Sequence, residues 1–223
     1  MNGLPKISVK ITFTEEVQGT SSPIKDVHRE YIAEKAPNFI LAEQEVDYID
    51  ETDVIEKTMT IFPKENGIPF FWDYQIKGFF KDSCNALSRC PETITYKGVS
   101  GKEFRAYRKI IDGCIFVQPR KILIEIPSSL SMGTCQRPLR ASTAQGERIA
   151  LANSETVPAG STCSFDVVCL NEKYINYVLE WLDYGQLRGL GQWRNSGKGR
   201  FSFEPITPEN EKQHQSKAKR RRV

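Results

Sequence analysis

The chain has 223 residues, one generous domain at about 150 residues per domain, and can bury a core without disulfides or metals. Its 39% hydrophobic content and 15 glycines exclude disorder of the whole chain, and no apolar run approaches the roughly 18 residues of a membrane span. Lys plus Arg is 31 and Asp plus Glu is 28, but residues 211–223 hold six bases and one acid, which leaves 25 bases and 27 acids on the first 210 residues. A nucleic-acid surface on the body must therefore be a local patch rather than a global field.

The start, MNGLPKISVK, has no signal-peptide core, so a cytoplasmic protein is expected. Residues 6–13 alternate: Ile7, Val9, Ile11 and Phe13 share one face of a half-buried strand. Residues 14–26, with Gly19, Ser21, Ser22 and Pro23, read as a loop. A short helix is predicted over 27–35, before Pro37, then an acidic stretch that turns β-like at EKTMTIF, then a turn at Asn66-Gly67. The spacing of Ile76, Phe79, Phe80, Cys84 and Leu87 predicts a helix over 73–88, with Asp73 as its cap. Gly78 within it suggests that something approaches closely there.

Residues 92–108 read as a loop or weak strands, and 110–117 and 121–126 as apolar strands separated by a turn or bulge at Gln118-Pro119. Residues 127–161 lack a sustained period and read as a long excursion from the core. A strand over 163–169 and an amphipathic helix over 172–184 follow, with Gly185 as the stop. A glycine-rich loop and a last strand near 200–204 complete the domain. Residues 209–223 are a basic tail without a core-forming pattern. Two strand–helix halves of this kind predict an α+β fold, an antiparallel ferredoxin-like (RRM-like) sheet backed by helices.

Six cysteines (84, 90, 114, 135, 163 and 169) form no Cys-x-x-Cys pair, and only two histidines are present. They read as small buried hydrophobes in a reducing compartment, so neither a zinc site nor any other cofactor is expected.

The chemistry concentrates in residues 185–200. Gly185, Gly189, Gly191, Gly197 and Gly199 are interleaved there with Arg188, Trp193, Arg194, Lys198 and Arg200. Glycines let a backbone approach phosphate and turn its N–H groups toward an anion; arginines supply planar donors, and Trp193 a stacking surface. The alternative is a flexible connection between helix and strand. A phosphate-binding loop of the nucleotide-triphosphate kind does not fit, because five residues separate Gly191 from Gly197-Lys198 and Gly199 stands where Ser or Thr would hold magnesium.

Three segments, about 70 residues in consistent order, resemble the RAMP superfamily of CRISPR-associated RNA-binding proteins. PFFWDYQIKGFFKDSCNAL (69–87) resembles its P-x-x-P-G-S-S-[IL]-K-G-x-x-R segment. QRPLRASTAQGERIALANSETVPAGSTCSFDV (136–167) is similar to the thumb-like insertion and following strand. LRGLGQWRNSGKGRFSFE (187–204) resembles the C-terminal glycine-rich loop and last strand. The resemblance implies a single RAMP-like domain over 1–208 with a thumb-like insertion at 127–161. It also implies sequence-tolerant binding of single-stranded guide RNA, as a backbone subunit of an antiviral ribonucleoprotein, beside related subunits or copies of itself. It places Lys77 and Gly78 against the RNA backbone, Arg188, Arg194 and Lys198 on phosphates, and Arg137, Arg140 and Arg148 on the thumb. Trp72-Asp73-Tyr74 replaces the family's Gly-Ser-Ser, and these aromatics either stack on bases or pack in the core.

Two catalytic candidates follow from family branches that cut RNA. His28 would act as general acid or base, with Tyr31 or Lys25 as partner, and Asp26 would act in the loop after the first strand. The alternatives to a pure binder are thus an endoribonuclease of the same fold, or a virus-encoded mimic or single-stranded nucleic-acid-binding protein. The tail, KQHQSKAKRRRV, either adds electrostatic hold on a polyanion or serves solubility.

Overall fold

The computed structural model describes residues 3–22, 59–89, 106–143 and 146–206. The predicted helix over 27–35, the candidates Lys25, Asp26, His28 and Tyr31, Cys90 and the basic tail lie outside the described residues.

The chain is a mixed α+β structure. The alternation of residues 6–13 produces strand β1 (Lys6–Phe13), whose odd-numbered side chains face the core, Ile7 half-buried and Val9, Ile11 and Phe13 buried. It is the second strand of an antiparallel sheet, between β10 (Thr162–Cys169) and the edge strand β11 (Phe201–Pro205). Beyond β10 stand β6 (Ile115–Gln118) and β7 (Lys121–Glu125), which pair with successive parts of it. β7 continues onto β5 (Ile68–Trp72), and β5 onto β4 (Lys64–Glu65). The last two are joined at Asn66-Gly67, where both residues have positive φ (51° and 79°), the backbone of a tight hairpin turn.

Helices α1 (Asp73–Leu87) and α3 (Lys173–Arg188) cover one face. Ile76, Phe79, Phe80, Cys84 and Leu87 of α1 form one core with Val9, Ile11, Phe165, Val167 and Trp181. Phe80 meets Trp181 at 5.5 Å between ring centres, and Phe79 meets Phe201 edge-on at 5.8 Å. The opposite face carries Ser8, Lys10 and Thr12 of β1, which stand opposite Asp166, Ser164 and Thr162.

A second sheet stands beside the first. Its main part is a long hairpin of β8 (Gly133–Thr143) and β9 (Gly146–Val157), with β2 (Val17–Gln18) antiparallel and β3 (Met59–Thr60) parallel to β9. The excursion from the core is therefore regular structure. Its polar sequence hides the strand period, because no apolar face alternates along it.

Four further expectations change. Residues 107–114 form helix α2 (Tyr107–Cys114), and the strand starts only at Ile115; a short apolar run does not distinguish the two states. Asp73 is the first residue of α1 rather than its cap: Trp72 occupies the cap position, and its N–H donates to Gln75 Oε1 at 2.8 Å. Gly78 is exposed, and nothing described comes within 4 Å of a Cβ placed on it. Finally, α3 runs through Gly185 and ends at Gly189, which has φ 79°. A Cβ at Gly185 would strike the Phe201 and Phe79 rings, so this glycine serves helix packing rather than helix termination.

Candidate nucleic-acid interface

Residues 189–200 form a ribbon that crosses back over itself. The Leu190 N–H donates to Gly199 O, and the Gly199 N–H to Glu16 O, both at 2.8 Å. A Cβ on Gly199 (φ 72°) would overlap the Leu190 carbonyl, and one on Gly191 (φ 78°) would lie 2.8 Å from Gln18 O. The glycines thus admit protein backbone. The N–H groups of Gly189 and Gly197 also donate to protein carbonyls, those of Gly185 and Arg194. The anion-nest reading of the loop gives way to a pinned scaffold, and its cations carry the available chemistry.

The scaffold projects a set of side chains around an open recess of about 370 Å³, lined by Arg137, Arg188, Gly191, Gln192, Trp193, Arg194 and Asn195. Trp193 has left-handed backbone (φ 53°) and opens the one-turn helix Arg194–Ser196; its side chain is exposed. The Arg137 guanidinium, reaching from β8, lies 5.1 Å from the Trp193 ring centre and donates from Nη2 to Gln192 Oε1 at 3.3 Å. Its Nε is buried without an acceptor. Arg188 and Arg194 converge on a single oxygen: Arg188 Nε donates to Asp82 Oδ2 at 3.2 Å, and Arg194 Nη1 to the same atom at 2.7 Å. Arg188 Nη1 also donates to Asn195 Oδ1 at 2.8 Å. Three guanidiniums thus stand around the recess, and one carboxylate stands behind two of them.

The remaining candidates stand apart from this group. Lys198 is paired to Glu16 at 2.6 Å, which holds its ammonium above the usual range. Arg200 donates from Nε to the Leu187 carbonyl at 3.1 Å. Lys77 lies across α1, 3.3 Å from Asp112 O and 5.0 Å from the centre of the exposed Phe116 ring; burial lowers its ammonium pKa. Gly78 is beside it on the helix surface. Arg140 and Arg148 stand opposite Ile149 and Ala141 in the hairpin register. Trp72 is buried, edge-on to Phe70 at 4.8 Å, which settles its role as core.

Asp82, Gln192 and Asn195 are the members that sequence reasoning missed. Asp82 is one polar residue on the polar face of a helix, and nothing local reveals that two arginines more than 100 positions later fold onto it. Among the described residues no group of three or more His, Cys, Asp or Glu could hold a metal ion, and no helix is long and apolar enough to cross a membrane.

No family model and no curated protein matches the chain. Among solved structures, a chain of the type III-B Cmr-beta bound to cognate target RNA matches 91% of this chain with a TM-score of 0.52 at 12% identity. This chain spans 60% of that chain's length. A chain of a type IV-B CRISPR complex is matched over 92% of this chain and 91% of its own length (TM-score 0.45, 12% identity). Cmr6 from Pyrococcus furiosus is matched over 90% and 99% (TM-score 0.45, 15% identity). The likeness this chain bears to the Cmr-beta chain is one of fold.

Proposed function

We propose that the chain binds single-stranded RNA with little regard to sequence, as a non-catalytic subunit of a CRISPR-type ribonucleoprotein. The observation that carries this reading is the recess itself. Arg137, Arg188 and Arg194 outnumber the one carboxylate, Asp82, that the last two share, and Trp193 offers an exposed aromatic surface among them. Guanidiniums beside an aromatic platform hold backbone phosphates and stack bases of any identity.

The order β11-β1-β10-β6, with α1 and α3 as the crossing helices, supports reading the core as ferredoxin-like. The β8–β9 hairpin is then the thumb-like insertion of one domain over 1–208, and the neighbours in multi-subunit complexes support partner subunits.

The test uses the protein's own fluorescence. Trp72 and Trp181 are buried, whereas Trp193 is exposed. Titration with single-stranded RNAs of unrelated sequence is expected to quench the emission by similar amounts at similar concentrations. In Trp193→Phe the quench should vanish while binding persists, weakened by about 1 kcal/mol. Unchanged quenching in the variant, or strong preference for one sequence, would contradict the reading.

A further inference from the structure

The recess holds a cluster of cations, not a row. Lys77 lies across α1, Lys198 is occupied by Glu16, and Arg200 is turned to the Leu187 carbonyl. What remains at the recess is Arg137, Arg188 and Arg194 around a single space. A strand passing along a groove presents one negative charge per phosphodiester at regular intervals, and its match is a line of separated bases. A compact group matches a compact anion.

Charge sharpens this. Three guanidiniums less the Asp82 carboxylate leave a surplus of two positive charges among the described residues. An internal phosphodiester carries one negative charge. A phosphate monoester carries close to two above its second pKa of about 6, and it has three acceptor oxygens. The geometry agrees: Arg188 and Arg194 already aim donors from two directions at one oxygen atom, Asp82 Oδ2. Asp82 takes one donor from each, Arg188 Nε and Arg194 Nη1, and both guanidiniums also line the recess, where their remaining N–H groups suit an anion with several equivalent oxygens. Arg137, with a buried Nε lacking an acceptor, stands on a third side.

The recess, at about 370 Å³, is near the lower end of small-ligand pockets and has room for one nucleotide. Trp193 is 38% exposed, although Arg137 lies against its ring. Its open surface suits a terminal base, which has a stacking neighbour on only one side.

We infer that the recess captures the phosphorylated end of an RNA strand, a phosphate monoester held by Arg137, Arg188 and Arg194 with its nucleoside stacked on Trp193. This rests on the RNA-binding reading above and narrows it from a strand to an end. A 5′ and a 3′ phosphate share the chemistry, so the two ends are separated by experiment.

The full chain is titrated with one short single-stranded RNA in three forms: 5′-phosphorylated, 3′-phosphorylated, and hydroxyl at both ends. One phosphorylated form is expected to bind about tenfold tighter than the hydroxyl form at pH 7.5, and the advantage should shrink at pH 5.5 as the monoester takes up its second proton. Arg194→Ala should abolish the difference between the forms. Arg194→Lys, which keeps the charge and loses the fork, should retain only part of it. Equal affinity for all three forms overturns the end-capture inference and leaves RNA binding standing. Failure of every form to bind the wild-type chain overturns both.

Discussion

Glu180 shows how one residue can set the conditions under which this fold is most stable. It lies on α3 within the core and is 1% exposed, and neither carboxylate oxygen has a hydrogen-bond partner. Burial, reinforced by the neighbouring Asp183 charge, pushes its carboxyl up to about 7. The folded state therefore holds a proton that the unfolded chain releases near the ordinary value of 4.5. The stability from this protonated form is fully present below about pH 4.5 and is lost as pH rises through about 7. Glu180→Gln keeps the shape and cannot ionise. It is expected to stabilise the protein by about 1–3 kcal/mol at pH 8, with little effect near pH 5, when denaturant midpoints are compared at the two values. An equal effect at both pH values would remove Glu180 from the account. The cysteines behave differently: burial pushes the Cys84 and Cys169 thiols up to about 12, so they remain neutral packing groups.

At the scale of elements, the ribbon 189–200 is the part whose conformation sequence reasoning reached least. Its glycines stand out in the chain, but their partners are backbone segments: Gly199 beside Leu190, Gly189 beside Lys198, Gly191 beside Gln18. A glycine that admits a phosphate and one that admits a carbonyl look identical in sequence. The two kinds of glycine here lead to opposite expectations. Gly199→Ala forces a side chain into φ 72° and onto the Leu190 carbonyl, and should cost roughly 2–4 kcal/mol. Gly78→Ala, in an exposed helix interior with open space, should gain about 0.5–1 kcal/mol. Thermal melts of both variants check the pair; a neutral Gly199→Ala would mean the ribbon is not pinned as described. The regular elements were far more legible. β1 is readable because half its residues face the core and half face away; α1 is readable because its buried residues repeat at helical spacing. The β8–β9 hairpin was not, since mutual pairing rather than an apolar stripe holds it. Helix α2 was misread because its apolar residues run directly into those of β6.

At the scale of the whole molecule, the fold assembles what the chain keeps far apart. Arg137 comes from a hairpin of the second sheet, Asp82 from a helix of the first, and Arg188 and Arg194 from either side of a helix end. The α+β architecture could be read from the order of elements. The recess could not, because its charge surplus depends on which arginines share Asp82 and which bases are occupied elsewhere. The first 210 residues together carry two more acids than bases, so no net positive charge of the whole body draws in a polyanion. Binding must then come from a few local contacts, and salt counts them. For single strands, log affinity falls with log salt by about 0.7 per phosphate neutralised. The decisive measurement is the affinity of mixed-sequence single-stranded RNA between low and high salt, for the wild-type chain and for Arg188→Ala/Arg194→Ala. The account predicts weaker binding by the variant at every salt concentration, with a slope shallower by at least about 0.7, the share of one phosphate. Equal affinity and equal slope in the two proteins would place the RNA-binding surface elsewhere and contradict it.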